Sequence, residues 1–189
     1  MVSTRSTSPG NPLSVGSAAP PFTLPDTRGN QPVSPSDHAG SPLLIAFLCN
    51  HCPYVVHIVE PLVALAAELA PRGLATIAIS ANDIVAYPQD GPVEMAALAA
   101  AKGFGFPYCF DETQDVARVY DAVCTPDLFL FDADHRLFYR GQFDGTRPGR
   151  GDAADGADLR RAIEALLAGE PAPADPPPSV GCSIKWKRS

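Results

Sequence analysis

A chain of 189 residues is long enough to bury one full hydrophobic core and cramped for two. Its net charge of −7, from 21 acidic against 14 basic residues, excludes a nucleic-acid backbone or an anionic membrane surface as the main expected partner. Five cysteines, an odd number, do not make a secreted disulfide framework. With no apolar run of spanning length expected and a polar N-terminus unlike a secretory signal, the chain reads as cytoplasmic.

Residues 1–12 are rich in Ser, Thr, Pro and Gly and read as a flexible tail. Residues 22–24 and 32–33 flank the turn-forming Asp26-Thr27-Arg28-Gly29-Asn30, which predicts an N-terminal β-hairpin. Residues 43–48 are apolar on both faces, as in a central strand covered on both sides. The following helix carries Val55, Val59, Leu62, Ala66 and Leu69 as one apolar stripe. Pro61 is expected to kink it, and Pro71 and Gly73 to end it. Residues 74–80 are a second strand, leading into a polar loop with Asn82 and Asp83.

Gly91-Pro92 opens the next helix and Lys102-Gly103 closes it. After a short extended piece at 106–110, Asp111 and Gln114 have capping-box spacing for a short helix through Val116, Val119 and Tyr120. Residues 128–131 and 137–139 predict a strand pair, and Leu159, Ile163, Leu166 and Leu167 a last helix. Residues 171–189 read as a proline-rich linker and C-terminal tail, leaving 13–170 as the domain. This order predicts an α/β fold: a three-layer α/β/α domain with a central mixed sheet.

Between the central strand and its helix lies Cys49-Asn50-His51-Cys52-Pro53. Two thiols two residues apart at a helix mouth point to redox chemistry, because the helix N-terminus stabilises a thiolate. The expected division of labour makes Cys49 the attacking thiol, meeting the free backbone N–H groups, and Cys52 the one that resolves the mixed disulfide. His51 is expected to stabilise the Cys49 thiolate. That would place the pair above the thioredoxin end of a scale running from about −270 to about −120 mV. A metal-binding role, with His51 or His57 beside the thiols, is a weaker alternative because no second CxxC or close Cys/His pair accompanies the motif. No metal or other cofactor is expected.

The segments Cys49-Asn50-His51-Cys52-Pro53-Tyr54-Val55, Val123-Cys124-Thr125-Pro126-Asp127 and Gly181-Cys182-Ser183-Ile184-Lys185-Trp186-Lys187 resemble the peroxiredoxin-like, AhpC/TSA-type branch of thioredoxin-fold thiol-disulfide oxidoreductases. The resemblance extends from about Gly16 to the C-terminus. It implies a thioredoxin-like domain in which Thr125-Pro126 is a cis-proline loop facing the CxxC and able to pair with an extended substrate. It also implies exchange with protein or small-molecule disulfides and with a thiol electron donor. Two departures stand out. The strand position where thioredoxins carry a buried acid is Leu43, and a Pro-x-x-x-Thr-x-x-Cys peroxide motif aligned on Cys52 would put Cys49 at its threonine and Ile45 at its proline. Hydroperoxide reduction by the same pair is the runner-up to disulfide exchange, ahead of metal binding. Cys124 and Cys182 are possible third thiols, each weighed against a packing role, and Cys109 reads as core.

Overall fold

A computed structural model describes residues 13–188 together with the backbone of Val2–Ser3. The apolar run becomes β4 (Leu43–Phe47), in which every residue is buried. It is the centre of a five-stranded sheet ordered β6-β5-β4-β8-β9, with β5 (Ala75–Ser80), β6 (Tyr108–Phe110), β8 (Asp127–Phe131) and β9 (Leu137–Gly141). β4, β5 and β6 run parallel, whereas β8 and β9 are antiparallel, so the sheet is mixed as expected. The predicted hairpin is present as β2 (Leu24–Pro25) and β3 (Pro32–Val33), with Leu24 opposite Val33.

Strand residues alternate between the two faces of the sheet, and that period divides the core. Leu44 and Ala46 join α1 (Pro53–Leu69), α2 (Pro92–Lys102) and α4 (Ala157–Leu167) on one side. Leu43, Ile45 and Phe47 pack on the other side with Tyr120, with Val116 of α3 (Asp115–Val119), and with Phe22 and Leu24 of the hairpin region. Leu62 and Leu69 of α1 are fully buried against the sheet, each contributing about 1.5–3 kcal/mol of apolar burial. By length and composition alone the stretch Pro53–Arg72 would pass for a membrane span, contrary to the expectation from sequence. Here one face of it is the core face of the domain. The helix continues through Pro61 and gives way at Gly73, whose φ of 95° places it in the left-handed region that glycine tolerates.

Two expectations are corrected. Gln114 caps nothing: α3 starts after it without a side-chain cap bond, and its own side chain is buried and turned towards the C-terminus. The reason is competition, since its amide donates to Ala81 O and Lys185 O and accepts from Lys187 N. Residues 171–189, divided from the 13–170 domain as linker and C-terminal tail, contribute to the domain itself. β10 (Gly181–Ser183) pairs with β7 (Cys124–Thr125), and Ile184 enters the core. On its other edge β10 pairs with β1 (Val2–Ser3). The remainder of the N-terminal tail expected over 1–12 lies outside the described residues.

Candidate active site

The turn between β4 and α1 places Cys49 and Cys52 beneath the loop between β7 and β8, where the Thr125–Pro126 peptide bond is cis. Both sulfurs meet Thr125. Cys49 Sγ lies 3.2 Å from its Oγ1, and the Cys52 thiol donates to its carbonyl oxygen at 3.0 Å. Both cysteines are shut away from solvent, at 1% and 0% exposure.

The helix begins one residue later than the expected roles require. Cys52 is the N-cap of α1 and Pro53 its first residue, with no side-chain cap bond, so Cys52 and not Cys49 is the thiol adjoining the helix mouth. The N–H groups of Asn50 and His51 are turned away, and both donate to Asp90 Oδ1, at 2.8 and 3.3 Å. Within this pair the electrostatics favour the charge on Cys52. The hydrogen bond from the Cys49 thiol draws the Cys52 thiol down to about 5. The backbone N–H groups of Cys182 and Val55 help, against the opposing cost of burial. Cys49 is pushed the other way, by donating that bond, by burial and by the Asp90 carboxylate.

Asp90 is the acid that the sequence did not show at Leu43. It sits in the turn Pro88–Asp90 ahead of α2, with no exposure. Besides the two backbone donors it accepts from Asn82 Nδ2 at 2.8 Å and meets His51 Nδ1 at 2.6 Å. A carboxylate can only accept, so Nδ1 carries the proton in that contact. The His51 ring stacks on Tyr87, centroids 5.1 Å apart. His51 is thus tied to an anion, and the charge that reaches Cys49 from this direction is that of Asp90. Asn50 is fixed from both sides, donating to Gln89 O and accepting from the buried Tyr108 hydroxyl. The signal for Asp90 was present only as Asp-Gly-Pro, which reads equally well as an ordinary helix start.

Cys49, His51 and Asp90 form a candidate metal-ligating group among the described residues, their donor atoms within 4.8 Å of one another. Zinc would need its ligand atoms about 2.0–2.3 Å from a common centre, and here the His51–Asp90 hydrogen bond occupies that space. His57 is elsewhere, its Nε2 2.8 Å from Thr146 Oγ1.

The other cysteines separate by position. Cys109 is buried in β6, and burial pushes its thiol up to about 12. Cys124 is buried too, points its thiol at Pro126 O at 3.5 Å, and is also raised by burial. Cys182 alone of the five is partly exposed, and in the β10–β7 ladder it stands opposite Thr125.

The family model for AhpC/TSA matches residues 15–140. An uncharacterized conserved protein of Geobacillus kaustophilus is 45% identical over 95% of both chains, with a TM-score of 0.90. A hypothetical protein of Sinorhizobium meliloti 1021 is 43% identical over 95% of this chain and 98% of its own, also at 0.90. A Chlorobium tepidum protein described as a thiol:disulfide interchange protein, DsbE, is 25% identical over 82% of this chain and 99% of its own, at 0.65. No curated protein matches the chain.

Proposed function

The chain belongs to the AhpC/TSA family, and from that premise we propose that it is a thiol-disulfide oxidoreductase working through Cys49 and Cys52. The observation that carries this reading is the convergence of both sulfurs on Thr125 of the cis-proline loop. A redox role follows from the family and the thioredoxin-like fold; the CxxC exchange is the specific step proposed here. The thiolate of Cys52 attacks a disulfide sulfur and expels one half as a thiolate. Cys49 then attacks Cys52, closes the Cys49–Cys52 disulfide and releases the second half. This takes the two cysteines in the opposite order to the expected one, because the hydrogen bond from the Cys49 thiol, more than any helix N–H group, favours the charge on Cys52. His51, Thr125 and Pro126 shape the site: His51 through Asp90, Thr125 through both its oxygens. A thiol donor reopens the disulfide.

A second reading, hydroperoxide reduction, has one observation in its favour: a lowered thiol at the helix N-cap with a second thiol bonded to it. There Cys52 would take one peroxide oxygen as a sulfenic acid, and Cys49 would release it as water on closing the disulfide.

The two are separated by offering reduced protein glutathione disulfide or hydrogen peroxide. Exchange predicts rapid loss of thiolate absorbance with the disulfide, and a trapped Cys52–glutathione adduct in Cys49→Ser. Rapid consumption of peroxide with inertness to the disulfide would replace the first reading with the second.

A further inference from the structure

The edge of β7 beside the cis-proline loop is where an extended substrate would add as a strand, and in this chain it is already filled. β10 lies there antiparallel, with Cys182 opposite Thr125 and Ser183 opposite Cys124. The fit is specific. A Cβ on Gly181 would stand 2.1 Å from Thr125 O and 2.6 Å from its carbonyl carbon, so only glycine allows this approach. Downstream, Lys185 N donates to Asn82 Oδ1, Lys185 O accepts from Asp83 N, and Ile184 N donates to Val123 O. Asn82 and Gln114, which hold the segment, are themselves buried. β10 also packs on α1, and Cys182 rests on the cluster that contains Cys49 and Cys52.

Thr125 thus has Cys182 across the ladder and the Cys52 thiol at its carbonyl oxygen, with Cys182 and Cys52 within hydrogen-bond reach of each other. Resting on the exchange function proposed above, the geometry points to Cys182 as a third reacting thiol. In this scheme β10 is an internal substrate strand, and Cys182 takes over the disulfide bond at Cys52. The thiolate of Cys182 attacks Cys52 Sγ of the Cys49–Cys52 disulfide. A Cys52–Cys182 bond forms, the Cys49–Cys52 bond breaks, and Cys49 leaves as the thiolate and takes up the proton Cys182 has lost. No electrons are gained or lost overall, since both electrons left the protein's thiols when the substrate disulfide was reduced. What changes is access. The disulfide moves from two buried sulfurs to one whose outer sulfur is partly exposed, where an external thiol can reach it. Reduced Cys182 shares its proton with the Cys52 thiolate and is held up by burial and that bond, near 11. Once Cys52 is in a disulfide the charge holding that proton is gone, while Lys185 remains close by.

The test is peptide mapping of full-length protein oxidised with glutathione disulfide, kept non-reducing throughout. Wild type is expected to give Cys49–Cys52 and Cys52–Cys182 linkages, and Cys49→Ser to give the Cys52–Cys182 linkage alone. Gly181→Val, which pushes β10 off the loop, should lose the Cys52–Cys182 linkage and keep Cys49–Cys52. Thermal melts of the reduced variants show that each is folded. If wild type and Cys182→Ser form Cys49–Cys52 but folded Cys49→Ser gives only the glutathione adduct on Cys52, the internal-substrate role is overturned and the exchange function stands. If wild type forms no disulfide at all, both are overturned.

Discussion

Asp90 and His51 meet at 2.6 Å through Oδ2 and Nδ1, while the other oxygen of Asp90 holds the backbone of the same turn. One buried carboxylate therefore sets both the shape of the CxxC turn and the charge beside Cys49. Asp90→Asn keeps the size but leaves an amide N–H facing donors. We expect a loss of stability of about 1–3 kcal/mol and a lower second thiol ionisation, that of Cys49. Thermal unfolding and an ultraviolet thiolate titration measure the two. An unchanged second ionisation would remove Asp90 from the electrostatics of the site.

Thiolate titration of the wild type should show one sulfur ionising with a midpoint near 5, belonging to Cys52. In Cys49→Ala the midpoint should rise, because the strongest stabilising hydrogen bond is gone. Stabilising the thiolate stabilises the reduced form, so equilibrium with glutathione should place the pair above about −270 mV, the thioredoxin value. The expected redox poise would then rest on Cys52 and its hydrogen bond from Cys49, not on a His51–Cys49 contact. A first thiolate appearing only above pH 8 would sink this account.

The same shift makes stability depend on pH. The Cys52 thiol is lowered in the folded state from an ordinary value of 9.0 to about 5. Its contribution is therefore full above about 9 and shrinks as the pH falls. It vanishes as the pH passes below about 5, where both states hold the proton. Reduced wild type should gain melting temperature between pH 5 and pH 8 relative to Cys52→Ser. Parallel curves for the two proteins would contradict the assignment.

The C-terminal segment is held by Gln114 as much as by its own pairing. Gln114→Ala should cost about 1–3 kcal/mol, since the carbonyl groups it served are left without a donor. It should also speed tryptic cleavage after Lys185 and Lys187 and the reaction of Cys52 with a bulky aromatic disulfide. Cleavage and labelling rates equal to the wild type would mean that the segment does not cover the site through Gln114.

Several features were legible in the chain because they depend on neighbours in sequence. The unbroken apolar run gave β4 and the helical spacing of apolar residues gave α1, since burying apolar faces dictates them. Cys49 and Cys52 were legible for a related reason: the strand-to-helix boundary brings two thiols to a helix mouth. Which of them adjoins the helix mouth depended on whether helical geometry begins before or after Cys52. Asp90 decided that from a distant turn by taking the N–H groups of Asn50 and His51. Gln114 looked like a cap at close range and became a clamp on residues more than seventy positions away. Cys182 could be read as a thiol in a tail, but its place opposite Thr125 exists only once β10 has docked on β7. Local patterning determines elements because each residue's face is set by the backbone repeat. The site is decided by buried polar groups seeking partners, and those partners can come from any part of the chain.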